Sequence, residues 1–328
     1  MMKVIGFDNQ KKFLIKNYLN NKLPHSIILS GDKGIGKKTF IIDFFGSIFN
    51  ELFDNNNLKQ HLNLIKNNTH PNIKYISNLV DKKTNKTKSQ ITIDQIRQLN
   101  SFLNETSVYE NISKFLIIDN ADSLNVSASN SLLKNLEEPK KNTYFFLIVH
   151  KLSYLLPTIR SRCLKLRFNK HDFNTFKLII TKQLNIVNEN EILFLYDLSN
   201  GSPGIAINIY DEELVGFYDQ ILFFFHQNKI YHADQINFSK KISLYDDEKF
   251  KIFLFVLKNI LINIIKIKVN INFNYNTNNK YDKKLTNISS YISKNSLFNK
   301  FEYLIKNEND LFTYNLDKNL FMLNFFSK

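Results

Sequence analysis

The 328-residue sequence is poor in the residues that most often brace or bend a chain: one cysteine, Cys163, no tryptophan, eight glycines and five prolines. A single thiol excludes an internal disulfide and any metal site built from several cysteines, and it makes a reducing, cytoplasmic location the expectation. So few glycines and prolines exclude a collagen-like or linker-dominated chain. Long uninterrupted apolar runs are missing too. The first eight residues, Met1 to Asp8, lack the continuous apolar stretch of a signal peptide. The most apolar later segment, Phe250 to Ile267, is broken by Lys251, Lys258, Asn259, Asn263 and Lys266. Each charge at bilayer depth costs about 2.5–3.5 kcal/mol, so a buried helix, with no membrane partner, is expected there.

What is present is ordinary for a folded chain: 43% hydrophobic and 23% charged residues. That suffices for more than one core, and the length predicts two or three domains. The net charge of +14, from 44 basic and 30 acidic residues, suits a phosphate-bearing partner. No single basic block dominates, however, and Asn, Lys, Ile and Phe are abundant throughout. Charge alone leaves nucleic-acid binding and general compositional bias equally open.

The first half alternates between strand and helix patterns. Ser26 to Ser30, Lys74 to Ile76, Phe115 to Ile118, Tyr144 to Val149 and Cys163 to Phe168 read as strands. Thr39 to Phe49, a helix opened by the capping box Thr92-Ile93-Asp94-Gln95, and Asn125 to Glu138 read as helices, the last stopped by Pro139. This alternation predicts an α/β layer fold with a mostly parallel sheet. After Phe168 the periodicity is helical, over His171 to Leu184, Glu189 to Leu198, Gly204 to Tyr210 and onward from Glu212. Polar loops are expected at Asp81 to Gln90 and Asn274 to Lys284. The expected division is an α/β domain over residues 1–168, a small helical lid over 169–210 and an all-α domain over 211–328.

Gly31-Asp32-Lys33-Gly34-Ile35-Gly36-Lys37-Lys38-Thr39 lies between a predicted strand and a predicted helix. Gly31, Gly34 and Gly36 would let backbone N–H groups face phosphate oxygens, the helix N-terminus adds positive potential, and Lys37 would reach the outer phosphates. The hydroxyl expected after that lysine, a Mg²⁺ ligand, is replaced by Lys38, with Thr39 one residue late. A helix turns about 100° per residue, so Thr39 is no simple substitute. The competing reading is a glycine turn that caps a helix. Asp119 closes an apolar strand, where the magnesium-side carboxylate of such ATPases stands. Asn120 follows it, a side chain that takes no proton at neutral pH. Asp122 is either a displaced carboxylate or the cap of the following helix.

The string Leu155-Leu156-Pro157-Thr158-Ile159-Arg160-Ser161-Arg162-Cys163 resembles the clamp-loader family of P-loop AAA+ modules. So do Leu23-Pro24-His25, His70-Pro71-Asn72, Asp94-Gln95-Ile96-Arg97 and Asn130-Ser131-Leu132-Leu133-Lys134-Asn135-Leu136-Glu137-Glu138-Pro139. The resemblance covers about residues 4–208. It implies a subunit of a five-membered spiral held by a helical collar, here residues 211–328. Its partners would be gamma/tau-type and delta-type subunits and, through the complex, a sliding clamp and primed DNA. Arg162 would act in trans as an arginine finger at a neighbour's ATP site; an exposed arginine bonded to a loop carbonyl is the plainer alternative. Relative to hydrolysing members, Lys38, Asn120 and Gly204 stand where a metal-binding hydroxyl, a catalytic glutamate and a sensor arginine are usual. The resemblance therefore implies weak ATP or ADP binding at most, without hydrolysis. Many relatives carry a four-cysteine zinc module after the phosphate-loop helix, but Gly46 to Thr69 has no cysteine and His61 alone cannot hold zinc. A hydrolysing motor subunit and a free-standing nucleotide kinase are the rival functions. His25, His150 and His226 show no ligand or relay spacing.

Overall fold

The computed structural model describes residues 3–80, 87, 88, 90–109, 111–212, 215–226, 232–269 and 280–327. The expected loop over Asp81 to Gln90 falls mostly outside them, and so does the expected loop from Asn274 up to residue 279.

The chain divides into two compact units, Met1–His171 and Asp172–Lys328. The first runs α1 (Asp8–Leu19), β1 (Ser26–Ser30), α2 (Lys37–Leu52), α3 (Asn55–Lys66), β2 (Ile73–Ile76), α4 (Ile93–Asn104), β3 (Lys114–Asp119), α5 (Val126–Glu137), β4 (Thr143–Val149), α6 (Pro157–Ser161) and β5 (Leu164–Arg167). Its five strands form one parallel sheet in the order β2-β3-β4-β1-β5. β1 and β4 are buried along their whole length, and β3 up to Asp119. Such near-continuous apolar runs belong to a sheet covered on both faces.

The two-residue period of the strands sorts their side chains between two cores. Ile27, Leu29, Phe115, Ile117, Phe146 and Ile148 join α1 and the phenylalanines of α2: Phe40, Phe44, Phe45 and Phe49. Ile28, Leu116, Ile118, Phe145, Leu147 and Val149 join Ile96 and Leu99 of α4 and Ala128, Leu132 and Leu136 of α5. Two buried polar groups fasten these layers. Asp43 of α2 accepts from Lys11 Nζ of α1 at 2.6 Å and from the Val4 amide at 3.3 Å. Lys114 of β3 donates to Phe102 O at 2.6 Å and to Glu105 O, satisfying carbonyls at the C-terminal end of α4.

The second unit is α7 (Phe173–Leu184), α8 (Glu189–Leu198), α9 (Pro203–Asp211), α10 (Val215–His226), α11 (His232–Ser243), α12 (Asp247–Lys268), α13 (Lys280–Tyr291), α14 (Lys294–Thr313) and α15 (Lys318–Ser327). A lid and a separate collar were expected here. One apolar cluster runs from Phe176, Ile192 and Ile209 through Phe253, Leu257 and Ile260 to Leu304 and Phe325. Within it α7, α8 and α9 pack on one another, and the long helix α12 contacts α8 and α9 as well as α14. The loop expected up to Lys284 also ends early, since α13 begins at Lys280. Among the described residues no helix is long and apolar enough to cross a membrane.

Candidate functional site

Residues 31–39 form the turn from β1 into α2. Gly34 and Gly36 have φ of 81° and 101°, the left-handed region that glycine enters without strain, and Gly36 is the N-cap of α2. Gly31 is required for a different reason. A Cβ there would lie 2.2 Å from the Phe168 carbonyl oxygen and 2.7 Å from Ile35 Cδ1.

Lys37 is buried, 3% exposed, and its Nζ donates to Gly31 O at 2.5 Å and to Asp32 O at 2.6 Å. Burial lowers its pKa to about 8, against the opposing fields of Asp122, Asp32 and Asp119. The lysine expected to meet phosphate thus spends two of its three donors on its own loop. Lys38, exposed in the first turn of α2, sets its Nζ 4.4 Å from the Tyr75 ring centroid. The Tyr75 hydroxyl in turn donates to Asp119 Oδ2. Burial, then this bond, holds the phenol well above its ordinary pKa, so it stays a donor. Thr39 is half-buried one residue further on.

Asn120 has φ of 74°. Asparagine tolerates this left-handed conformation, whereas most other side chains pay roughly 1–2 kcal/mol. Its Oδ1 is buried with no hydrogen-bond partner. Asp122 caps no helix. Its two carboxylate oxygens accept from the amides of His150, at 3.0 Å, and Lys151, at 3.2 Å, just beyond β4; Asn125 caps α5 instead, accepting from Ala128 N at 2.8 Å. Each Asp122 oxygen is thus engaged by a backbone amide. His150 is held neutral, its pKa lowered to about 4 by burial and by Lys37.

A magnesium ion does not fit the donors present. No hydroxyl follows Lys37, and the Asp119 carboxylate is engaged by Tyr75. Zinc does not fit either. His61 Nδ1 and His70 Nε2 hydrogen-bond each other at 3.0 Å, and His70 Nδ1 accepts from Asn72 N at 3.1 Å. Among the described residues no three His, Cys, Asp or Glu side chains converge on a metal. The pair packs against Phe49, Phe53 and Tyr109 and joins α2, α3 and the start of β2. Asn72, next in that string, donates to Tyr109 O and Ile112 O at 2.9 and 2.7 Å, anchoring the approach to β3.

Arg162 follows the short helix α6, which Pro157 opens. Its Nη1 donates to Thr158 O at 3.0 Å, and its Nη2 pairs with Glu137 Oε1 at 2.6 Å, at the end of α5. The carbonyl bond belonging to the plainer alternative is therefore present. Both partners of the ion pair are well exposed, at 38% and 47%. Such a pair contributes at most about 1 kcal/mol, so it holds the guanidinium only weakly. Beside it, burial pushes the Cys163 thiol up to about 12, so this sulfur is no nucleophile.

Residues 7–172 match the family described as DNA polymerase III, delta subunit, a span of half the chain. The chain belongs to that family. It is 44% identical over 75 residues to the DNA polymerase III subunit delta′ of Pseudomonas aeruginosa, covering 23% of each chain. It is 26% identical over 229 residues to the subunit delta′ of Haemophilus influenzae, covering 69% of this chain and 66% of that one. These matches span less than two thirds of either relative. A DNA polymerase III gamma subunit-related protein from Thermotoga maritima aligns over 97% of both chains at 17% identity and a TM-score of 0.46.

The sequence placed the glycines, Lys37, Lys38, Asp119 and Arg162 of this delta-family module on the correct turns and strand ends. It missed the partners that define them: Tyr75 on Asp119, Glu137 on Arg162, and His61 with His70. The Tyr75 contact joins strands 44 residues apart, and no local pattern shows strand register.

Proposed function

We propose that this chain is a delta-prime-type stator of a clamp loader, giving Arg162 in trans to a neighbouring ATPase subunit and hydrolysing no ATP itself. The observation that carries the reading is the contrast between its own site and its finger. Lys37 is bonded to its own loop, Asp119 is bonded to Tyr75, and Asn120 supplies no base, while Arg162 stands exposed on a weak ion pair. A phosphate approaching Lys37 must displace two short hydrogen bonds, so ATP or ADP would bind weakly. Zinc has no role. The partners would be gamma/tau-type and delta-type subunits, with the sliding clamp and primed DNA reached through the complex. The names of the delta′ relatives support this assignment.

The test has two parts. The purified chain should show no ATP turnover above background, and it should co-elute with a set of clamp-loader subunits and raise their DNA-dependent ATPase. Turnover near about 1 s⁻¹, a slow but real enzyme rate, that disappears in Lys37→Ala would contradict the reading. So would failure to join the complex.

A further inference from the structure

In a phosphate loop that uses Mg²⁺, the cation bridges the hydroxyl that follows the lysine and, on the other side, the strand-end carboxylate and phosphate oxygens. Here one side chain spans those two protein positions. The Tyr75 ring is faced by Lys38 Nζ at 4.4 Å, and its hydroxyl donates to Asp119 Oδ2. Tyr75 lies in β2, next to β3 in the sheet, paired with Ile117 two residues before Asp119, so its length carries it to the end of the neighbouring strand. The ring is therefore fixed by register, by its bond and by the cation on its face. A divalent ion reaching Asp119 Oδ2 would have to break its bond to the phenol, displace a half-buried ring and approach the Lys38 ammonium.

We propose that Tyr75 and Lys38 together exclude divalent cations from this phosphate loop, Tyr75 by occupying Asp119 and Lys38 by standing in place of the hydroxyl ligand. Any nucleoside polyphosphate the loop takes is then taken free of metal, with Lys38 supplying the nearby positive charge. The inference rests on the reading of residues 31–39 as a phosphate loop and is independent of Arg162. It is tested on the isolated full-length chain, whereas the stator reading is tested in the assembled complex, so either can fail alone.

The probe is Mn²⁺ with ATP, followed by electron paramagnetic resonance, for the native chain, Lys38→Thr, Tyr75→Phe and the double variant. The native chain should leave the spectrum as that of Mn²⁺–ATP without protein. The double variant should bind Mn²⁺–ATP at least about tenfold more tightly than the native chain, and Asp119→Asn added to it should abolish the gain. Lys38→Thr alone should gain little, because Tyr75 still holds Asp119. Three results would overturn the proposal: native-chain Mn²⁺ binding that Asp119→Asn removes, no gain in a double variant that melts like the native chain, or a gain from Lys38→Thr alone equal to the double. If the double variant does not fold, the near-isosteric Tyr75→Phe decides, and it must then bind more Mn²⁺ than the native chain.

Discussion

The two units use the same amino-acid supply in different ways. In residues 1–171 individual positions are specified. A strand register puts a phenol on Asp119, a missing Cβ lets Gly31 lie under the Phe168 carbonyl, and a buried lysine closes its own loop. In residues 172–328 the apolar core is spread over nine helices of the described residues, and its lysines divide between carboxylates, as in Lys258 with Glu308 at 2.5 Å, and backbone carbonyls. Lys268 donates to Ser289 O at 2.6 Å, Lys300 to Phe325 O and Phe326 O at 3.0 and 3.1 Å, and Lys318 to Tyr245 O at 2.7 Å. The Ser289, Phe325 and Phe326 carbonyls lie at helix ends, where cations are well placed, and Tyr245 lies between α11 and α12. Some of the basic residues behind the net charge of +14 are thus engaged within the fold. A charge total does not locate a binding surface.

The comparison can be broken most sharply at glycine. Gly31→Ala forces a methyl group against a backbone carbonyl that cannot swing aside, so it should destabilise the first unit by about 3 kcal/mol, the upper end for overpacking, as read by chemical denaturation. An unchanged midpoint would mean that the β1–β5 packing yields easily. Next in size is pH. His70 has its pKa lowered to about 4 by burial and by His61, and His61 is lowered as well by burial. Lowered values mean that the unfolded chain binds protons first, so the contribution is fully present above about 6.5 and lost as pH falls toward 4. For His70 that loss is about 1–2 kcal/mol at pH 5. His70→Gln should shrink the Tm difference between pH 7 and pH 5, leaving the smaller slope due to His61 and His150. An undiminished slope would remove the histidine pair from the account. The smallest effect lies in the second unit. A Cβ on Gly216, in α10, would meet nothing within 4 Å, so Gly216→Ala should stabilise by about 0.5–1 kcal/mol through helix propensity. Destabilisation there would show a position-specific constraint where none is expected.

The same contrast explains what the sequence could and could not disclose. Buried parallel strands announce themselves as short apolar runs, and Thr92 with Gln95 does form the expected capping box, Thr92 N donating to Gln95 Oε1 at 3.2 Å. α1 passed unread because it buries little beyond Leu14 and Tyr18, and α3 because Leu58, His61, Leu62 and Ile65 are diluted by Asn and Lys. Helical periodicity shows that α9 and α12 each have an apolar face, but not that the faces join one apolar cluster. Asn120 looked like a lost glutamate; its left-handed backbone gives the residue a conformational reason as well.

In the proposed stator, the chain's own phosphate loop is dispensable for hydrolysis while its Arg162 is not. The most direct measurement compares DNA-dependent ATP turnover of a reconstituted clamp-loader complex carrying Arg162→Ala with one carrying Lys37→Ala, each checked for intact assembly. An arginine finger supplies roughly 10³–10⁵ in rate, so the site completed by Arg162 should slow by at least about a hundredfold, while Lys37→Ala should change turnover little. A large loss from Lys37→Ala with none from Arg162→Ala would contradict the account outright, placing the working site within this chain.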